Sequence, residues 1–402
     1  MEIPVGSPDS YVVATFDGAC DWVLIECGDG IMVVVIEFLD EEPIENVITC
    51  LNYKVDKVIF WGYKEVVERC GKSTERFLKK YCNVTDVVFK EMSHVDFKAI
   101  LTNMEKEVEK EMREGNSLLF DLTGGEDLIL VAFGYMSAGK NLPMHFYNVR
   151  TGELVELDKK NPMRISQVAR KQNIRLNIHR YIEMQGGIVN EFCHKDSKVI
   201  REECHKADLE NLWFLSQKYK KEWNRFTAGL RSFQTDTETL FVHIDYAKLN
   251  EQIKKKKIRL GKKVFRLLIE ECNKLDLLCN YKCTEYGVDF EFKTEFIQSC
   301  IYETGSVLEL HTYLKERDRS DDCMVGVHLD WDGIIGDRSY TDVLNEVDVL
   351  TLNGYVLTFI SCKNGTVDPK AMYELDTIAE RFGGKYAKKV LVAPQGVYGA
   401  YK

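Results

Sequence analysis

No apolar run in this sequence approaches the roughly 20 residues a helix needs to cross a membrane. That argues against an integral helical membrane protein. The first residues, Met1-Glu2-Ile3-Pro4, lack the basic start and apolar stretch of a secretory signal, so a cytoplasmic protein is expected. Paired zinc spacing is missing too. There are 13 cysteines, but the closest pair, Cys279 and Cys283, has no matching second pair. Reduced, mostly buried thiols are expected. Net positive charge is also absent. A formal charge of −10 argues against a chain that coats nucleic acid non-specifically, while leaving room for a local basic cleft. Neither a Walker loop ending in Gly-Lys-Ser/Thr nor a G-x-G-x-x-G fingerprint occurs.

What is present is an ordinary globular composition, 45% hydrophobic and 29% charged, in a 402-residue chain long enough for two or three domains. Residues 1–30 carry Gly6, Pro8, Gly18 and Gly28 and read as an irregular extension or strand pair. From Ile31 the character changes. Ile31 to Ile36 is a continuous apolar run, the signature of a strand buried on both faces. A helix through Cys50 follows, capped by Asp40 or Glu41, with Pro43 in its first turn. Strands are expected at Asp56–Gly62, Thr85–Phe89 and Ser117–Phe120. Helices are expected over Lys72–Tyr81 and Phe97–Arg113. This alternation predicts a doubly wound α/β sheet.

The strand ending at Phe120 runs into Asp121-Leu122-Thr123-Gly124-Gly125-Glu126-Asp127 and then an apolar helix, Leu128–Ser137. Backbone N–H groups and a positive dipole end gather at such a turn. It lies at the sheet edge where open α/β sheets bind ligands. Many αβ turns carry Gly-Gly for steric reasons, and acids at a helix start also complement its dipole. Met144–Tyr147 adds a strand and Thr151–Leu154 a hairpin.

Asp-Leu-Thr-Gly-Gly after an apolar strand, late in a Rossmann-like domain, resembles the CARF domain, the CRISPR-associated Rossmann fold. The resemblance implies a homodimer that binds a cyclic oligoadenylate across its two-fold axis. The candidate ligand-binding residues are Leu39, Asp40, Gly62, Thr123, Gly124, Gly125 and Glu126. Many members continue with Thr-Lys. Here Glu126-Asp127 follows, which removes a cation that would contact ligand phosphates.

A polar connector, Asp158–Pro162, leads into a helical stretch, Ile165–Gly187. Asp208–Phe233 carries Leu209, Leu212, Trp213, Leu215, Tyr219, Trp223 and Phe226 on one helical face, which reads as core. Lys254–Lys263, KKKKIRLGKK, is the most basic run. A helix over Val264–Leu275 and two strands around Gly287 complete a winged-helix-like pattern. The run fits a solvated linker, a dimer contact or a surface that holds nucleic-acid phosphates.

The last hundred residues hold three strand-like pieces, VGVHLDWDG from Val325, NEVDVLTLNG from Asn345 and YVLTFISCKNG from Tyr355. Ser361 and Lys363 are two apart and share a strand face, as do Glu346 and Asp348. An Asn353-Gly354 turn would fold Asp348 onto Ser361 and Lys363. Upstream, Glu309 sits at the start of a helix that opens at Gly305. Helix Glu, strand Asp, then x-x-Lys resembles the PD-(D/E)xK nuclease superfamily. The resemblance implies that Glu309, Asp348, Ser361 and Lys363 are catalytic. It implies a divalent ion, Mn²⁺ or Mg²⁺, on Glu309, Glu346, Asp348 and the Cys362 carbonyl. The departure is Ser361, where the pattern has an acid; either the site manages with fewer charges or Glu346 takes the place. A helix from Asp368-Pro369 to Arg381 and a strand at Lys389–Val392 close the chain.

The expected organisation is an extension (1–30), a CARF sensor (31–157), a helical and winged-helix-like linker (158–299) and a PD-(D/E)xK-like nuclease (300–402). The two resemblances in this order imply a type III CRISPR effector, in which cyclic tetra-adenylate switches on metal-dependent cleavage of RNA or DNA. Two rivals stand beside it. One is a winged-helix transcriptional regulator with a dead nuclease remnant, which Ser361 would explain. The other is a Rossmann enzyme without a nucleic-acid substrate, disfavoured because the first half offers no nucleophile or acid–base pair.

Overall fold

The computed structural model describes residues 31–92, 96–156, 165–190, 204–234, 239–303, 305–330, 344–364, 367 and 369–393. The expected extension, 1–30, lies outside them, as do Asp368 and the connector 158–162. The chain divides into two units, Met1–Arg175 and Leu176–Lys402.

Unit 1 is a mixed α/β layer with Rossmann-like character. Its strands are β1 (Val33–Phe38), β2 (Lys57–Tyr63), β3 (Asp86–Met92), β4 (Ser117–Asp121), β5 (Met144–Asn148) and β6 (Glu153–Glu156). They pair in the order β3-β2-β1-β4-β5-β6, parallel except for β6. Val34, Val35 and Ile36 are fully buried, as the unbroken apolar run of β1 requires between two helical layers. The helices are α1 (Ile48–Asn52), α2 (Lys64–Tyr81), α3 (Phe97–Arg113) and α4 (Asp127–Lys140).

Two of these depart from the sequence expectation. The first helix is short because Asn46 ties the preceding loop, accepting from Asp40 N and donating to Asp40 O, each at 2.8 Å. The second starts earlier and runs straight through Gly71, where a Cβ would already touch the Phe89 ring at 3.4 Å. That glycine serves helix–sheet packing and does not end the helix. The short α5 (Ile165–Val168) and the strand-like segment after it also belong to unit 1. Lys171 bridges to Tyr53, and the Gln172 amide donates to Cys50 O and Tyr53 O.

Unit 2 opens with α6 (Ile178–Met184) and the two-residue β7 (Ile188–Val189). Next come α7 (Cys204–Lys218), α8 (Trp223–Arg231), β8 (Phe241–Asp245), α9 (Tyr246–Lys254), α10 (Lys262–Lys274), β9 (Leu278–Cys283) and β10 (Gly287–Phe292). The small sheet has the order β8-β10-β9, antiparallel throughout. Residues 223–292 thus run helix, strand, two helices and a β-hairpin, the order in which the expected winged-helix-like pattern places them. The last part holds α11 (Glu295–Tyr302), α12 (Ser306–Arg317), β11 (Asp322–Asp330), β12 (Leu344–Asn353), β13 (Val356–Cys362), α13 (Pro369–Gly383) and β14 (Lys388–Val392). Its sheet runs β14-β13-β12-β11-β7. β7, from the stretch read as a linker, therefore completes the C-terminal sheet through Val189↔Leu329. One hydrophobic core joins Trp223, Phe226, Phe265 and Phe290 of residues 223–292 to Leu308, Val349 and Ile360. The aromatic stripe is core, as its spacing predicts.

Candidate functional site

The C-terminal cluster is built by a hairpin. β12 and β13 are joined by the two residues Gly354 and Tyr355, with Gly354 at φ 57, a value that glycine adopts without cost. The antiparallel ladder pairs Asn353 with Val356 and ends at Val349↔Ile360. Beyond it β13 continues on β14 alone, through Ser361↔Leu391 and Cys362↔Val392. The Cys362 N–H donates to the Asp348 carboxylate at 2.5 Å. Ser361 Oγ donates to the same oxygen at 3.2 Å, and Lys363 Nζ lies 3.8 Å from it. Asp348 thus splices the strands where their ladder stops. A buried N–H needs an acceptor, and a carboxylate supplies a strong one. Lys363 is more exposed than Asp348, so its ammonium stands at the solvent side of the cluster.

Gly326 lies across from Asp348, between the pairs Val325↔Val349 and Val327↔Val347. It has φ +59, and among the described residues no atom beyond its chain neighbours lies within 4 Å of the place a Cβ would take. The backbone there is bent, and the space beside Asp348 is open. Gly326 lines a cavity of about 50 Å³ with Glu303, Ser306, Glu309 and Glu346. Such a volume holds a water or a small ion. Glu309 is in the first turn of α12, where an acid also complements the helix dipole. Gly305 has φ +112, and a Cβ there would come 2.7 Å from Glu309 Oε1, so glycine leaves room for the carboxylate.

The lining sets Glu303, Glu309 and Glu346 among apolar Phe296, Leu310 and Val325, and carboxylates are the donors a hard divalent cation takes. Among the described residues, however, no three His, Cys, Asp or Glu side chains converge as a ligand set. Glu309 and Glu346 share the cavity, while Asp348 is engaged with Cys362 and Ser361 beside it. The Cys362 thiol bonds Thr312 Oγ1 at 3.6 Å. Burial, with Asp348 and Glu309 nearby, pushes it up to about 12, so it offers no thiolate, and only its carbonyl remains a ligand candidate. Glu303 and Gly326 are cavity residues that the sequence reading missed. Glu303 precedes the helix signal, and an interior strand glycine reads only as a bulge.

In unit 1 the candidate ligand residues meet at the C-terminal edge of the parallel sheet. Leu39 is fully buried, and its N–H is spent on Trp61 O at 2.8 Å, so it shapes the floor. Gly62 allows close packing, since a Cβ would lie 3.1 Å from Leu39 Cβ. Asp40 accepts from Glu42 N at 2.9 Å and from Gly125 N at 3.3 Å. A Cβ on Gly124 would press Asp40 Cβ at 3.0 Å, and Gly125 has φ +129, which disfavours any side chain. Both glycines are thus needed by the fold itself. Thr123 is also committed inside the protein. Its N–H and hydroxyl donate to Asp121, and its oxygen accepts from Tyr147 N at 3.0 Å. Glu126 caps α4 through its backbone and accepts from Tyr63 OH at 2.6 Å. Burial and that bond push Tyr63 up to about 12.

Beneath the turn lies a buried polar set that sequence reading missed. Asp121 accepts from Thr49 Oγ1 at 2.5 Å, and His145 Nε2 stands 3.4 Å away. Burial alone would raise Asp121, but His145 and the hydroxyl donors outweigh it and hold it below the usual carboxylate value. Neighbouring Glu37 is pushed well up, first by burial and then by Asp121.

No protein-family model matches the chain, and no curated protein matches it. Solved structures do. Protein VC1899 from Vibrio cholerae superposes with a TM-score of 0.64 at 17% identity, covering 91% of this chain and 90% of that one. Can2 from Sulfobacillus thermosulfidooxidans, solved in complex with cyclic tetra-adenylate, gives 0.58 at 14% identity, with 91% and 89% covered. The chain shares its fold with both. At these identities the likeness speaks for the fold across both units. Among the described residues no helix is long and apolar enough to cross a membrane.

Proposed function

We propose that this chain is a metal-dependent nuclease switched on by a cyclic oligoadenylate in type III CRISPR antiviral defence. The observation that carries the nuclease half is the Asp348 carboxylate at the parted ends of β12 and β13, with Lys363 3.8 Å away and the Glu309–Glu346 cavity beside it. In this reading residues 300–402 supply a PD-(D/E)xK-type site, with Glu346 in the acidic place that Ser361 leaves vacant. A bound Mg²⁺ or Mn²⁺ would polarise the scissile phosphate and acidify a water. Glu309, Glu346 and Asp348 would hold it, with the Cys362 carbonyl. Lys363 steadies negative charge growing on the phosphate oxygens, an effect strongest where donors are already in place. Ser361 keeps Asp348 oriented.

The activator reading rests on the Thr123–Gly125 turn at the sheet edge and on the shared fold; cyclic tetra-adenylate, the ligand of Can2, is the first to try. The rim carries carboxylates, Asp40 and Glu126, and no cation in the place that would follow Thr-Gly-Gly. Carboxylates accept from adenine amino groups and ribose hydroxyls, so recognition runs through those donors and through backbone N–H groups. A homodimer is supported by α4. Leu128, Val131 and Tyr135 lie three and four apart on one helix face, with Val131 61% and Tyr135 68% exposed. That apolar stripe starts directly after the turn and suits an isologous two-fold contact.

The test is a panel of labelled RNA and DNA, single- and double-stranded, with Mn²⁺ or Mg²⁺ and with or without each cyclic oligoadenylate. Cleavage that needs both metal and ligand is expected. Sequence-specific DNA binding with no cleavage under any condition would favour the regulator instead.

A further inference from the structure

We infer that the turn between α9 and α10, with the first turn of α10 and the β9–β10 wing, is a binding surface for a nucleic-acid backbone, separate from the Asp348 cluster. Lys254, Lys255, Lys256, Lys257 and Arg259 are all exposed, and Lys263 follows. Among them Lys255 pairs with Glu251, which also lies near Lys257. No ion pair involves Lys254, Lys256, Arg259 or Lys263 among the described residues.

The run is not a loose linker. Ile258 and Leu260 are buried between the cations, and Ile258 packs near Gly229 of α8. Lys256 takes φ 57, closing the turn. Lys257 and Arg259 therefore project from an anchored strip. Lys256 and Arg259 border an open hollow of about 450 Å³ with Ile253 and Gly261. The adjoining α10 has 13 residues and no side-chain cap at Gly261, so its first N–H groups add positive potential to the same place.

Tertiary structure adds the wing. Tyr246 gathers the parts, with Lys262 Nζ 4.5 Å and the Arg266 guanidinium 5.0 Å from its ring centroid. Its hydroxyl lies 3.3 Å from Cys283 Sγ, and its N–H donates to Tyr286 O at 2.8 Å. The wing tip is thus held against the first turn of α10. Tyr286 is 74% exposed there, next to Glu285, and Lys282 is exposed on β9. Closely spaced cations on an anchored turn, a helix start with no side-chain cap and an exposed ring suit a dense line of phosphates with sugars and bases beside them. Neither Arg266 nor Leu267 of α10 is placed to read a base edge. Arg266 is held over Tyr246, and the outward Leu267 of α10 has no donor.

The experiment uses the full chain in EDTA, so that binding is read without cleavage and stands or falls apart from the nuclease reading. Fluorescence anisotropy follows a short labelled DNA duplex over a salt series. Lys256→Ala/Lys257→Ala/Arg259→Ala should lower the salt slope by about 2–3 and weaken low-salt binding more than roughly tenfold. Lys98→Ala/Lys106→Ala/Arg113→Ala on α3 removes the same charge and should bind like the parent. Tyr286→Ala should weaken binding with the slope unchanged. Two unrelated duplexes should bind alike. Equal binding by the two triple variants, or a strong preference for one duplex, would overturn the assignment.

Discussion

Replacing Asp348 separates its two jobs, splicing strands and bearing charge. Its carboxylate accepts from Cys362 N at 2.5 Å and from Ser361 Oγ at 3.2 Å, and it faces Lys363. In Asp348→Asn the amide oxygen can still take the Cys362 N–H. Only the charge-assisted part of the bonding is lost, about 1 kcal/mol of stability. Asp348→Ala leaves the Cys362 N–H without an acceptor, which costs about 1–3 kcal/mol for a buried donor. Stability therefore falls further in Ala than in Asn. Catalysis should not follow that order. Both variants lack the charge that a hard cation requires, and loss beyond about 100-fold is expected, since even groups that only orient a metal ligand matter by 10–100-fold. Cleavage of a labelled strand is measured against metal concentration at saturating activator, alongside thermal melts and calorimetric activator binding. Both variants should bind activator like the parent. Near-parental cleavage by Asp348→Asn would show that the residue is a structural splice and remove it from the catalytic proposal.

Four further outcomes are expected. Ser361→Ala should slow cleavage only a few-fold, whereas Glu346→Gln should cost at least about tenfold and raise the metal requirement; the reverse ranking would return the acidic role to the serine position. Glu126→Lys breaks the bond from Tyr63 and puts a cation on the rim, so a several-fold shift in activator affinity by calorimetry is expected, and an unchanged value would move the ligand off this turn. Glu37 is raised in the folded state, so its contribution is whole below the ordinary carboxyl range and lost as pH rises through the raised value. Glu37→Gln should flatten the fall in melting temperature as pH rises above the ordinary carboxyl range, and an unchanged pH profile would refute the assignment. Val131→Glu/Tyr135→Glu should turn a dimer into a monomer by light scattering and abolish activation; a persistent dimer would place the two-fold contact elsewhere.

The sequence by itself determined where most of the strands lie. Unbroken apolar runs marked β1 and β2, and glycine turns marked the hairpin at Gly354, because short-range sterics decide both. Asp348, Ser361 and Lys363 were also legible as neighbours, since strand alternation and one tight turn give their register. Sequence reading stopped where a residue's meaning depended on distant partners. The helix expected from Lys72 starts at Lys64 instead and carries Gly71 inside it as a packing contact with Phe89. Gly124 and Gly125 stood out as a Gly-Gly turn, but only the packing shows that Asp40 and the backbone conformation require them. β7 lies some 140 residues before the strand it joins, and no local pattern reveals such a pairing. Nor could the chain order show that Tyr246 binds the wing to the basic turn, or that Glu303 and Gly326 share a cavity with Glu309 and Glu346. Local conformational preference is written along the chain; long-range packing, which decides what each side chain faces, is settled only when the sheets and the core close.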